Sequence, residues 1–139
     1  MITLRPMLPT DYPTIRRLWE TTPGITISDG DSEAEVRAFL TRNPAASLVA
    51  TDRGRIIGGI LAGYDGRRAW LYHVVVEEEF RRMGIGRQLV ESSLSRLREL
   101  GIVRIHLFVM ADNPEGRDFW RHLGWDVRDD IQLLFKKLT

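Results

Sequence analysis

The hydrophobic pattern changes period once in the middle of the chain, and that change restricts the available folds more than any other feature. Arg68–Val76 alternates like a strand, whereas Gly84–Leu100 carries Ile85, Leu89, Val90, Leu94 and Leu97 on one helical face and closes at Gly101. Between them lies a loop with glycines at 84 and 86. Strand, loop and long helix in succession predict a crossover to a parallel strand, which Ile102–Val109 supplies. The chain is therefore read as α/β.

The remaining segments fill in around this unit. Ile2–Met7 alternates as a short strand, and Leu8-Pro9 opens a helix with Thr10 and Asp11 as its expected caps. Ile15, Leu18 and Trp19 give that helix its buried stripe as far as about Thr22, before Pro23-Gly24. Ser32-Glu33-Ala34-Glu35 is a capping box that starts a second helix with Val36, Phe39 and Leu40 inward. Ser47–Thr51, Arg55–Gly63 and Arg68–Val76, separated by Asp52-Arg53-Gly54 and Asp65-Gly66, predict an antiparallel meander. Glu115–Leu123 is a short helix stopped by Gly124, and Trp125–Val127 with Ile131–Leu138 is expected to form a last hairpin across Asp129-Asp130. With 139 residues and no internal repeat, a single domain spanning 1–139 is expected.

Composition removes several function classes. Lys plus Arg is 20 and Asp plus Glu is 19, so no basic excess points to nucleic acid. The absence of cysteine removes thiolate metal sites and cysteine nucleophiles, and three scattered histidines predict no metal site. Neither a basic region followed by an apolar stretch at Met1–Pro6 nor an apolar run near the roughly 18 residues of a membrane helix is present. The expectation is a cytoplasmic protein with no membrane partner.

The segment Val74–Leu89 carries the chemistry. A strand ends, the chain turns through two glycines, and a helix begins with unpaired N–H groups at the positive end of its dipole. Gly84 and Gly86 allow a phosphate close to the backbone, and Arg81, Arg82 and Arg87 add charge, so a pyrophosphate fits. A dinucleotide fingerprint would need glycine where Leu89 stands, and a P-loop would need Gly-Lys followed by Ser or Thr. Both alternatives fail.

The spacing Arg81-x-x-Gly84-x-Gly86 after a Val-rich strand resembles the acyl-coenzyme A signature of the GNAT superfamily of N-acetyltransferases, in particular its small bacterial YpeA-like members. The likeness extends to Arg5-Pro6, Leu18-Trp19, the meander, Asn113, and a short helix ending Leu123-Gly124-Trp125. It implies a mixed, mostly antiparallel sheet, splayed between strands 4 and 5 and flanked by helices, with the pantetheine arm of acetyl-CoA in the gap. On this resemblance the backbone of Val74, Val75 and Val76 pairs with pantetheine, and an N–H near Val74 polarises the thioester carbonyl. The segment Arg81, Arg82, Met83, Gly84, Ile85, Gly86 and Arg87 holds the pyrophosphate. Asn113 matches a cofactor-contacting Asn, and an Asn before Pro114 is equally a helix cap.

The chain also departs from the family. Where many relatives place a Tyr that protonates the leaving thiolate, Trp120 stands here, and indole is no proton-transfer acid, which assigns Trp120 to the acyl pocket. The positions matching a Glu base in relatives are Trp70 and Phe108. Strand alternation places Trp70, Tyr72 and Val74 on one face and Leu71, His73 and Val75 on the other, so Tyr72 is the first choice of base; its alternative is an aromatic packed over the sheet. His73 is expected in the core or an interface. His106 is a lesser candidate, and Glu77-Glu78-Glu79 is read as a solvated loop that also suits a cationic acceptor.

The resemblance implies an acetyl-CoA-dependent N-acetyltransferase acting on a primary amine, of a small molecule, a protein N-terminus or a lysine, by direct attack. A weak base favours acceptors of low pKa, since an α-amine near 8 is already about a tenth free at neutral pH and a lysine near 10.4 is not. The rival reading is an acyl-CoA-binding sensor that has lost its chemistry. Trp125 and Ile131–Phe135 offer the edge for a homodimer.

Overall fold

The computed structural model describes residues 1–138. The chain divides into two compact units, the first spanning Met1–Phe108 and the second beginning at Val109.

The first unit is built on a five-stranded sheet in the order β1-β2-β3-β4-β5. The strands are β1 Ile2–Pro6, β2 Leu48–Asp52, β3 Arg55–Tyr64, β4 Ala69–Val76 and β5 Ile105–His106; the helices are α1 Tyr12–Thr21, α2 Glu33–Arg42 and α3 Ile85–Glu99. β1 through β4 pair antiparallel. Arg53 and Gly54, at φ of 53° and 80°, make the two-residue turn whose twist matches the β2–β3 hairpin. At the β3–β4 turn, Asp65 Oδ1 accepts from the N–H groups of Arg67 and Arg68 at 2.8 and 2.9 Å.

β5 joins parallel to β4, as expected of strands linked through α3, but only through Ala69–Ile105 and Trp70–His106. Past Trp70, β4 runs on to Val76 with no β5 partner, so the sheet opens between these strands toward the end of β4. The expected strand Ile102–Val109 is thereby cut to Ile105–His106, because a chain that diverges from its neighbour has nothing to bond its N–H and C=O groups.

α1 and α2 cover one face of the sheet. Met7, Ile15, Trp19, Val36, Leu40, Val49, Leu61 and Val75 form the core between them and the strands. Their approach is close: a Cβ at Gly59 would lie 2.7 Å from Ile15 Cδ1, and one at Gly63 2.6 Å from Phe39 Cζ. α3 packs on the other face, where its fully buried Leu89, Val90 and Leu97 meet β2, β3 and β4. Buried Ser93 donates to Ala46 O at 2.9 Å.

Two expected caps resolve differently. Asp11 does not cap α1; its carboxylate accepts from Arg5 at 2.8 and 3.0 Å and from the Leu8 N–H at 2.8 Å, closing the turn before the helix. Ser32 does cap α2, accepting from the Glu35 N–H at 3.2 Å.

The second unit contains α4, Pro114–His122. Residues 125–138 form no strand, which corrects the expected last hairpin. Alternation makes a strand only where a second strand pairs with it, and here Arg128 instead folds onto Asp130 through bonds of 2.7 and 2.8 Å. Ile131, Leu133, Leu134 and Phe135 are exposed.

Candidate active site

The loop after β4 is held from within. Arg55 on β3 bridges Glu77 at 3.3 Å and Glu79 at 2.8 Å, with its guanidinium 5.7 Å above the Phe80 ring. Two of the three acids read as a solvated run therefore have a cation of this chain as partner. Arg81 Nε donates to Val76 O at 2.9 Å, tying the first signature residue back to the end of β4.

Arg82 and Gly84 then turn the chain at φ of 66° and 79°, and Gly84 becomes the N-cap of α3. A Cβ at Gly84 would meet nothing within 4 Å, so glycine is required by the left-handed backbone and not by a neighbouring atom. No side chain caps α3 and its first turn contains no acid. Among the described residues no acceptor reaches the N–H groups of Ile85, Gly86 and Arg87; the first bond of the helix runs from Gln88 N–H to Gly84 O. Arg81, Arg82, Met83, Gly84 and Arg87 are exposed beside this bare helix end. Unpaired N–H groups beside exposed arginines are an arrangement that suits an anion.

Upstream, β4 is bulged. Gly59 faces Val75 and Leu61 faces Tyr72, so His73 and Val74 together oppose Ile60, and His73 takes a φ of 50°. The extra residue overturns the expected separation of faces. Tyr72 packs edge-on against Phe39 of α2 at 5.9 Å, while Val75 joins the same core and His73 packs at a tilt against Trp19 of α1 at 4.8 Å. Tyr72, His73 and Val75 thus all reach the α1/α2 side.

His73 is not merely a core residue. Its Nε2 lies 2.9 Å from Asp31 Oδ1, and its side chain is 16% exposed against 9% for Asp31. The other carboxylate oxygen, Oδ2, accepts from the Ser28 N–H at 2.9 Å. The Asp31 carbonyl accepts from Tyr12 Oη at 2.6 Å and from Arg16 at 3.2 Å, and Arg16 also donates to Tyr12 Oη at 3.0 Å. Burial alone would raise the Asp31 carboxyl. The His73 and Ser28 hydrogen bonds, with the charges of His73 and Arg16, outweigh it and hold the group below its ordinary value. Asp31, Tyr12 and Arg16 were not legible as site residues; the one available sign was an imidazole inside an apolar strand run, which needs a partner.

Tyr72 has no hydrogen-bond partner among the described residues, and burial pushes its phenol above the ordinary value near 10. Trp70 stacks between His106 at 4.9 Å and Phe108 at 5.2 Å, and His106 Nδ1 is buried without a partner. Between the end of α1 and the loop after β4 lies a groove of about 430 Å³ lined by Leu18, Thr21, Thr22, Glu77, Glu78, Glu79 and Arg81.

In the second unit Asn113 caps α4, its Oδ1 accepting from the Gly116 N–H at 3.0 Å. Trp120 meets Trp125 at 5.0 Å and Phe119 at 5.2 Å, both edge-on. No group of three His, Asp or Glu among the described residues is placed to hold a metal, and no described helix is long and apolar enough to cross a membrane.

Residues 12–125 match the family model described as the acetyltransferase (GNAT) family. The chain belongs to the GNAT family. It is 30% identical over 128 residues to Acetyltransferase SG1711 of Sodalis glossinidius, covering 92% of this chain and 89% of that protein. Among solved structures, Ard1 from Thermoplasma volcanium superposes with a TM-score of 0.80 at 27% identity, over 91% of this chain and 84% of that one. The PaiA N-acetyltransferase of Thermoplasma acidophilum, solved in complex with coenzyme A, shares the fold at 20% identity with a TM-score of 0.79, covering 94% and 93%. The mixed sheet opened between β4 and β5 is thus a GNAT fold.

Proposed function

We propose that this GNAT protein transfers the acetyl group of acetyl-CoA to a primary amine of a small molecule, protein N-terminus or lysine by direct attack. The observation that carries the reading is the free flank of β4, residues 71–76, leading through a glycine turn into the uncapped N-terminus of α3. One end offers strand-edge hydrogen bonds of the kind an amide-bearing arm needs, and the other offers unpaired N–H groups and arginines for a pyrophosphate. In this reading Val74, Val75 and Val76 hold pantetheine through their backbone, and residues 81–87 hold the phosphates. The N–H of Val74, within the bulge, polarises the thioester carbonyl. Asn113 contacts the cofactor with the amide nitrogen its capping bond leaves free, and Trp120 narrows the acyl pocket. Both units act as one transferase domain spanning 1–139, which the family match across their boundary supports.

Direct attack requires no covalent enzyme intermediate and no metal. The amine adds to the thioester carbon, the C–S bond breaks, and the thiolate leaves as coenzyme A. Release of free thiol across a panel of amines and peptides, with mass detection of the acetylated acceptor, tests the reading. Acceptor-dependent thiol release is expected. Tight acetyl-CoA binding with no release above hydrolysis would favour an acyl-CoA sensor instead.

A further inference from the structure

The pair formed by His73 and Asp31 has the geometry of a base with its orienting partner, and it sits on the β4 bulge. We infer that His73 Nδ1 takes the proton from the acceptor ammonium, and that Asp31 is the positioning residue that keeps the other ring nitrogen protonated. This deepens the proposed function and rests on it.

A carboxylate can only accept, so the 2.9 Å contact at Oδ1 requires the proton on Nε2, and in the neutral ring that leaves the lone pair on Nδ1. Among the described residues Nδ1 has no hydrogen-bond partner, and it is not among the sealed buried atoms, so it opens to solvent. Asp31 itself cannot turn away: Oδ2 is fixed by Ser28, and its carbonyl by Tyr12 and Arg16. Trp19 packs against the ring, with centroids 4.8 Å apart and planes tilted by 59°. His73 immediately precedes Val74, whose N–H is assigned to the thioester carbonyl, so base and polarising donor occupy adjacent positions of one bulge. The left-handed φ of 50° turns the imidazole onto the α1/α2 side, where plain alternation would not put it.

Among the described residues the charged or titratable groups bonded to the pair are Asp31 itself, from the segment before α2, and Tyr12 and Arg16 from α1; Tyr72 precedes His73 on its own strand, and β3 places Ile60 and Leu61 opposite. Tyr12 and Arg16 are engaged with the Asp31 carbonyl. Both Asp31 carboxylate oxygens are occupied, whereas His73 presents a ring nitrogen with no partner among the described residues.

The step balances. The ammonium gives one proton to Nδ1, and the freed nitrogen lone pair adds to the thioester carbon. The adduct nitrogen then loses its second proton as the C–S bond breaks. The thiolate carries that proton away as free thiol, and the imidazolium returns the first to water.

The variants are His73→Asn, which tolerates a left-handed backbone, and Asp31→Asn, which preserves shape. In His73→Asn, kcat is expected to fall about 100-fold, with the affinity for acetyl-CoA within twofold of wild type and the acid limb of the kcat/KM profile lost. Asp31→Asn is expected to lower kcat and to release the imidazole from its single tautomer. A long-range nitrogen–proton NMR correlation on the wild type, which needs no variant, is expected to show the proton on Nε2. Retained rate and acid limb in His73→Asn, or an Nδ1-protonated tautomer in the wild type, would overturn the inference alone. A wild type that binds acetyl-CoA yet releases no thiol with any amine would overturn the transferase reading and the base role with it.

Discussion

Replacing Gly84 separates two effects that the turn into α3 combines. Gly84 holds a φ of 79° with open space where a Cβ would stand, so a substituent causes backbone strain and not a clash. Holding an L-residue left-handed costs about 1–2 kcal/mol, and a β-branched residue lies at the upper end. In Gly84→Val the free loop relaxes out of this conformation, and acetyl-CoA must restore it. Losing one charge-assisted N–H bond to the phosphates adds about 1.5–2 kcal/mol. A sum near 3–4 kcal/mol weakens acetyl-CoA binding about 100- to 1000-fold. Gly84→Asn tolerates the left-handed region and should lose no more than about tenfold. Calorimetric titration with acetyl-CoA gives both values. S-acetylpantetheine, which lacks the pyrophosphate, should be used equally well by wild type and Gly84→Val. Wild-type affinity in a folded Gly84→Val, or an equal loss with both donors, would refute the reasoning.

Trp120→Tyr should raise acetyl turnover by supplying a proton donor, and Trp120→Ala should admit butyryl donors; if rate and chain-length preference stay unchanged in both, Trp120 only packs against Trp125 and Phe119. Ser93→Ala strips buried Ala46 O of its 2.9 Å donor and should lower stability by about 1–3 kcal/mol in urea unfolding, and an unmoved midpoint would show the bond contributes nothing. For Asp11, burial would raise the carboxyl, but the Arg5 bonds and the Leu8 N–H outweigh it and hold it low. Asp31 is also held low. Both contributions are complete above the ordinary carboxylate range near pH 4 and are lost as pH falls through the lower folded values. Asp11→Asn should lower stability at pH 7 and flatten its dependence on pH below about 4, as followed by unfolding at several pH values.

α3 was legible because every cue for it is local: an apolar stripe at helical spacing, basic residues late, and Gly101, which takes a φ of 84° after the last turn. The two-residue turn at Arg53-Gly54 was legible for the same reason. Strand length was not, since β5 extends only as far as β4 stays beside it, and that depends on how two strands diverge. The face of His73 was misread because one extra residue opposite Ile60 resets the alternation, and a bulge leaves no mark in a run such as Tyr72-His73-Val74-Val75. The partners Asp31 and Arg55 come from distant parts of the chain, so the His73 pair and the bridged Glu77 and Glu79 emerge only once the sheet is assembled.

The most direct test of the account is a crystal structure with acetyl-CoA bound. The pyrophosphate is predicted to lie about 3 Å from N–H groups between Arg82 and Arg87, with the pantetheine arm along residues 74–76 of β4 and the thioester oxygen at the Val74 N–H. A cofactor seated in the groove beside Glu77–Glu79, with the N–H groups of Ile85, Gly86 and Arg87 free of phosphate, would contradict it.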